Sequence, residues 1–166
     1  MITFRAITQA DFASLVRWRS APHAARWFEP LDLATAEAKY QARIDGTSPT
    51  RMHIVEIDGE DAGYLQHYLV RDYPDYLAAV GEPNAAGIDF LIGEDRFVGK
   101  GLGPRVIRAY IRDVVVPAHR SIRKIVSTPA FDNARSIRAL EKAGFLQRTT
   151  IDVDGKPERL CILQLS

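Results

Sequence analysis

The stretch Val98-Gly99-Lys100-Gly101-Leu102-Gly103 reads as a glycine turn that opens onto an amphipathic segment. Glycines at alternating positions let the backbone come close to a ligand. From Gly101 to Val115 the residues Leu102, Val106, Ile107, Tyr110, Ile111 and Val114 follow helical spacing, and Arg105, Arg108 and Arg112 form a basic stripe beside them. A helix beginning there aims free N–H groups and its positive dipole end at the loop, which suits a pyrophosphate. A bare tight turn is the plain alternative. The loop is no P-loop, because no Gly-Lys-Ser/Thr follows, and its spacing is not that of a dinucleotide fingerprint. After one more expected strand, Ile122 to Ser127, comes Asn133-Ala134-Arg135-Ser136-Ile137-Arg138-Ala139-Leu140-Glu141-Lys142-Ala143-Gly144-Phe145. That reads as a helix stopped by Gly144 as a C-terminal cap.

Outward from this pair, Ile2 to Ile7 is expected as a strand. Thr8 and Asp11 make a weak capping pair for a helix through Arg19. Pro22 restarts the chain into a short turn or helix carrying Trp27 and Phe28, and Thr35 is expected to cap a helix reaching Ile44. Met52 to Ile57 and Asp61 to Val70 form a hairpin around Asp58-Gly59. Arg71 to Ala86 has prolines and no period, and is expected as a long loop of the kind that often carries function. Ile88 to Ile92 is a short apolar strand interrupted by Asp89. Phe145 to Val153 and Leu160 to Leu165 close the chain as a second hairpin around Asp154-Gly155. The order is β-α-α-β-β-β-α-β-α-β-β, an α/β fold with a mixed central sheet flanked by helices, and a single domain is expected over residues 1–166.

Composition agrees. The chain has 166 residues, 46% of them hydrophobic and 26% charged, which suits one globular domain and excludes disorder. Its longest run without Asp, Glu, Lys or Arg is Ala62 to Val70, far short of the ~18 residues of a membrane span. No secretory pattern opens the sequence, and Cys161 is its one cysteine, so a cytoplasmic location is expected. The four histidines show no metal-ligand spacing, so no metal is expected. Net charge is +1, but its distribution is uneven. Arg71 to Asp89 holds four acids and one base, whereas Arg96 to Lys124 holds eight bases and one acid. These are either solvated faces or the places where a cationic and a polyanionic partner bind. The basic run holds only Phe97 and Tyr110 as aromatics and no interleaved series of stacking platforms, which argues against nucleic acid.

The glycine loop and the Asn-x-x-Ser-Ile-x-x-x-x-Lys-x-Gly-Phe segment together resemble the two acetyl-CoA-binding motifs of the GNAT (GCN5-related) N-acetyltransferases. The element order matches that fold over essentially the whole chain. The resemblance implies a sheet splayed between its fourth and fifth strands, with the pantetheine arm of acetyl-CoA in the split. The backbone of Leu91, Ile92 and Gly93 would bind that arm and polarise the thioester. The loop Val98, Gly99, Lys100, Gly101, Leu102, Gly103 and Pro104, with Arg105 nearby, would hold the pyrophosphate. Asn133 and Ser136 would contact the cofactor beyond it, though Asn133 also reads as a helix cap. Val98 stands where many members have Gln or Arg.

Within that superfamily the chain is most similar to the aminoglycoside 6'-N-acetyltransferases and their siderophore-acylating relatives. The residues carrying this are His23-x-x-x-Trp27-Phe28, Gly63-Tyr64-x-Gln66-x-Tyr68, Gly87-Ile88-Asp89 and Glu141-Lys142-Ala143-Gly144-Phe145. The siderophore branch tends to have a histidine in place of Asp89, so the resemblance favours the aminoglycoside branch. It implies acetyl-CoA and a polyamine-like sugar bound together, with direct attack of the amine on the thioester and CoA as product. An amine arrives protonated and must lose a proton, which Asp89 could accept directly or through water. Asp75 would be a substrate carboxylate, and Trp27 and Phe28 an aromatic wall for sugar rings or cations; a solvated loop and ordinary core packing are their plain alternatives. No covalent enzyme intermediate is expected, and Cys161 reads as core.

Three positions depart from the family pattern. Leu140 replaces a tyrosine proposed as general acid, Thr128 replaces an aspartate, and Phe90 stands where Gln is common. A thiol of pKa about 8.5 leaves well enough that the tyrosine is dispensable. The alternatives are acylation in siderophore biosynthesis or of another small amine, and a catalytically silent CoA-binding module. The partner is a small-molecule amine, and the chain is expected as a monomer or weak homodimer.

Overall fold

Asp58 and Asp154 both have φ of 51°, and each is followed by a left-handed glycine, Gly59 at 83° and Gly155 at 79°. Two successive positive φ values make the turn whose twist matches that of antiparallel strands. The computed structural model describes residues 1–166, and these turns join β2 (Arg51–Ile57) to β3 (Glu60–Leu69) and β6 (Leu146–Val153) to β7 (Lys156–Gln164). The other strands are β1 (Ile2–Ala6), β4 (Ala85–Ile92) and β5 (Lys124–Ser127). The helices are α1 (Phe12–Ser20), α2 (Pro22–Ala25), α3 (Leu33–Asp45), α4 (Pro74–Val80), α5 (Leu102–Tyr110), α6 (Val116–Ala118) and α7 (Ala134–Lys142). The seven strands form one sheet in the order β1-β2-β3-β4-β5-β7-β6.

The parallel pair β4–β5 is short. Its register runs from Ala85↔Lys124 to Gly87↔Val126, while β4 itself continues to Ile92. Where pairing stops, the Ser127 hydroxyl donates to the Ile88 carbonyl at 2.9 Å. A side chain thus takes the place of the next ladder bond, and the expected splay between the fourth and fifth strands is present.

The chain forms two compact units. In the first, Met1–Gln66 with Phe90–Leu102, Phe12, Leu15, Trp18, Tyr40, Ile54 and Leu91 are buried together. Asp11, itself buried, accepts from Arg5 at 2.8 Å and from the Thr8 N–H at 2.8 Å, so the weak capping pair is real and reinforced. Asp32, not Thr35, caps α3: its carboxylate accepts from the Thr35 N–H at 2.7 Å. An Asp in extended conformation one residue before the helix outcompetes a Thr inside it.

In the second unit, His67–Asp89 with Gly103–Ser166, Val70, Val80, Ala85, Val126, Leu160 and Ile162 are buried, with Tyr76 and Leu77 packed on them. Here the long loop expected from Arg71 to Ala86 is corrected. It contains α4, entered through Pro74 and ended by Gly81 at φ 74°, and β4 starts already at Ala85. Proline at the first position and glycine past the end are helix punctuation. A seven-residue helix is too short for its period to stand out, and packing of Tyr76, Leu77 and Val80 stabilises it. The expected helix to Val115 also changes character, since Ile111–Val115 is a π-helix. The wider turn buries Val115 in place of Val114.

Candidate active site

Glycine 87 lets β4 pass directly under a tyrosine: a Cβ there would overlap the ring of Tyr68, a β3 residue. The Tyr68 ring meets Tyr73 and Tyr76 edge-on, with centroids 5.4 and 5.8 Å away. Tyr76 comes from α4, the element that sequence reading took for loop. Tyr76 Oη lies 2.9 Å from Thr128 Oγ1. Burial pushes both tyrosines well above the ordinary phenol range, and the negative charge of Asp89 pushes further. Tyr110 on α5 is raised by the same two causes in the same order. All three phenols are therefore neutral at physiological pH. Glu158 is also raised, first by burial and then by Asp89 and Asp154, against the lowering effects of the Thr128 bond and Lys156.

Asp89 is partly buried on β4, and its negative charge bears on Tyr68, Tyr76, Tyr110 and Glu158. Sequence reading named Asp89 but missed Tyr76, Thr128 as a hydrogen-bond centre, and Glu158. Tyr68 and Gly87 had been noticed only as family-like residues. No sequence signal marked Glu158, because the last strand was expected from Leu160, whereas β7 begins at Lys156.

The glycine loop fits a phosphate group. Gly99 and Gly101 have φ of 75° and 69°, and a Cβ on either would meet nothing within 4 Å. Left-handed residues alternating with right-handed ones turn successive N–H groups to one side, and α5 begins at Leu102 immediately after. Lys100 and Arg105 are exposed. The rest of the basic stripe is partly structural: Arg108 donates to the last-turn carbonyl of Lys142 at 2.7 Å, and Arg112 pairs with Asp113 at 2.6 Å. Gly103 serves packing, since its Cβ would lie 3.4 Å from that of Ala139 on α7. Pro104 is the third residue of α5. Asn133 is buried and its side chain accepts from the Ser136 N–H at 3.2 Å, so the capping role expected of it is filled.

At the end of β4, Gly93 N–H donates to the Ala62 carbonyl at 2.8 Å, and His23 Nε2 lies 2.9 Å from the Ile92 carbonyl. A Cβ at Gly63 would overlap Leu91 O, and one at Gly93 would overlap Trp18. Two of the family-like residues, His23 and Gly63, therefore hold the Leu91–Gly93 backbone in place. Phe28 is partly buried against the core, with the Arg19 guanidinium 5.3 Å from its ring centre, and Arg26 stacks on Trp27 at 4.5 Å. Asp75 is exposed in the first turn of α4. Cys161 is fully buried and its thiol is pushed up to about 11, first by burial, which makes it a poor nucleophile. Leu140 is likewise core.

A mixed sheet with a short parallel β4–β5 pair, and a glycine loop opening onto α5, form the fold of an acyltransferase. Residues 8–153 match the family model described as acetyltransferase (GNAT) domain, and the chain belongs to that family. It is 29% identical over 161 residues to aminoglycoside N(6')-acetyltransferase type 1 of Klebsiella pneumoniae, covering 94% of this chain and 79% of the relative. N-hydroxyputrescine acetyltransferase of Acinetobacter baumannii is 27% identical over 146 residues, covering 85% and 69%. The crystal structure of an aminoglycoside acetyltransferase in complex with coenzyme A and kanamycin superposes with a TM-score of 0.88 at 28% identity, covering 99% of this chain and 95% of that one. No group of His, Cys, Asp and Glu could hold a metal ion, and no helix is long and apolar enough to cross a membrane.

Proposed function

We propose that residues 1–166 act as one acetyltransferase domain that acetylates a primary amine of a cationic small molecule, the 6'-amine of an aminoglycoside, with donor and acceptor bound together. The observation that carries this is Asp89, a partly buried carboxylate on β4 whose charge bears on the partly buried phenols of Tyr68 and Tyr76 and the buried one of Tyr110. Aminoglycoside acetyltransferases among the relatives support the choice of acceptor.

Acetyl-CoA supplies the activated acyl group. The amides of Gly99 to Gly103 and the start of α5 hold its phosphates, with Lys100 and Arg105 adding positive charge. Asp89 takes the proton that the acceptor ammonium must lose, directly or through water. Asp75 attracts the cation from its exposed helix turn, and Trp27 with Phe28 offers aromatic surface to a sugar ring. The single, buried Cys161 supports a cytoplasmic location.

The N-hydroxyputrescine relative favours a second reading, acylation of a hydroxylated diamine. One assay separates the two: CoA release from acetyl-CoA with kanamycin-type aminoglycosides, simple polyamines and N-hydroxylysine. Release with the aminoglycosides, acetylated at the 6'-amine, is the expected result. Release with N-hydroxylysine alone moves the chain to the second reading, and binding of acetyl-CoA without release from any acceptor would make it a silent module.

A further inference from the structure

We propose that His23 is a positioning residue for acetyl-CoA: its imidazolium form holds Asp95 in the turn that enters the glycine loop. The inference rests on the reading above that this loop holds the cofactor's phosphates. His23 comes from α2, entered through Pro22, and its side chain is 17% exposed. It touches the end of β4 and the segment beyond at two points. Nε2 lies 2.9 Å from the Ile92 carbonyl oxygen, and Nδ1 lies 3.2 Å from Asp95 Oδ1. Asp95 opens a short helical turn, Asp95–Phe97, and its own carbonyl accepts from the Val98 N–H at 3.1 Å. Val98 begins the glycine loop, and Gly99 and Gly101 follow in left-handed conformation. One imidazole thus connects α2, the end of β4 and the entry to the loop.

The two contacts compete for protons. A carbonyl oxygen and an ionised carboxylate both only accept, and a neutral imidazole has one N–H. Both contacts are attractive when each ring nitrogen bears a proton, and His23 with Asp95 is an ion pair in that form alone. Loss of one proton leaves a nitrogen lone pair facing an oxygen. The Ile92 carbonyl then keeps the remaining N–H, because the Asp95 carboxylate, 84% exposed, has water to turn to. The other restraints on this segment are backbone bonds, an indole and arginine–carboxylate pairs. Gly93 and Glu94 N–H donate to the Ala62 carbonyl at 2.8 and 3.1 Å. The Glu94 carboxylate accepts from Trp18 Nε1 at 2.9 Å and pairs with Arg17, and Arg96 pairs with Glu60. Of the other charges on α1 and just after α2, Arg19 donates to Tyr40 and to the Glu29 carbonyl, and Arg26 stacks on Trp27. Arginine keeps its charge throughout, whereas imidazole is the side chain whose ordinary charge change falls between about pH 5 and 8. His23 is therefore the restraint on the loop's entry that is present in acid and released as pH rises.

The test is a double-mutant cycle on acetyl-CoA affinity, with wild type, His23→Gln, Asp95→Ala and the double variant measured by calorimetry at about pH 6 and about pH 8.5. The cofactor's own titration is common to all four proteins and cancels. Glutamine keeps a donor for the Ile92 carbonyl and cannot become a cation. At the lower pH, Asp95→Ala should raise Kd about threefold when His23 is present and leave it unchanged in the His23→Gln background, the size of an exposed ion pair. At the higher pH, Kd should be the same with and without the Asp95 carboxylate. The KM for acetyl-CoA should follow Kd, and kcat should change less. Coupling of equal size at both pH values, or none at the lower one, would overturn the inference. So would coupling confined to thermal unfolding, which marks a purely structural contact. Asp95 is largely exposed, so the Kd ratio of Asp95→Ala to wild type at the two pH values decides the matter should His23→Gln fail to fold. If Gly101→Val leaves acetyl-CoA affinity unchanged, the phosphate reading of the loop falls and this inference with it. If Gly101→Val weakens binding and the cycle shows no coupling, only this inference falls.

Discussion

The glycine loop at Gly99–Gly101 and the tyrosine cluster around Asp89 are built in opposite ways. The loop is local: a few consecutive residues, two of them left-handed glycines, leave open backbone before α5. The cluster draws Tyr68 from β3, Tyr76 from α4, Asp89 from β4, Tyr110 from α5, Thr128 from the end of β5 and Glu158 from β7. An anion of fixed shape can be bound by main-chain N–H groups that any sequence with the right glycines provides. Choosing among amines needs side chains, and their convergence depends on the whole second unit.

Breaking each region should leave the other's ligand bound. Asp89→Asn removes the proposed proton acceptor without changing shape. Its turnover should fall by about 10²–10⁴-fold with acetyl-CoA affinity retained, as read by CoA release and calorimetry. Wild-type turnover in that variant would take Asp89 out of the mechanism. Gly101→Val forces a β-branched residue to φ 69°, where about 1–2 kcal/mol of strain falls on the backbone. The KM for acetyl-CoA should rise about tenfold while Kd for the acceptor changes little; a selective loss of acceptor affinity instead would contradict the local reading of the loop.

Asn133→Ala gives the smallest effect and sharpens the boundary between structure and binding. Loss of the bond to the Ser136 N–H should lower stability by about 1 kcal/mol, measured by denaturant unfolding. CoA affinity should change less than about threefold if capping is its main task. A larger drop in affinity at unchanged stability would assign Asn133 to the cofactor instead.

Much of this was legible along the chain. Asp58-Gly59 and Asp154-Gly155 announced their hairpins because a short turn is decided by its own residues. The helix after the glycine loop was legible because its apolar stripe repeats over many residues. Helix α4 was missed because seven residues are too few to show a period, so Tyr76 could not be connected with Asp89. The π-helix at Ile111–Val115 also left no mark that spacing alone could reveal.

The sequence by itself determined the family, the glycine loop and the carboxylate on β4, since these depend on residue types at short, fixed spacing. Tertiary structure alone decided that β7 lies between β5 and β6. That placement brings Ala130 against Glu158 and Ser127 against Cys161. Residues 130 and 158 meet through strand pairing, a long-range interaction whose partners no local pattern specifies.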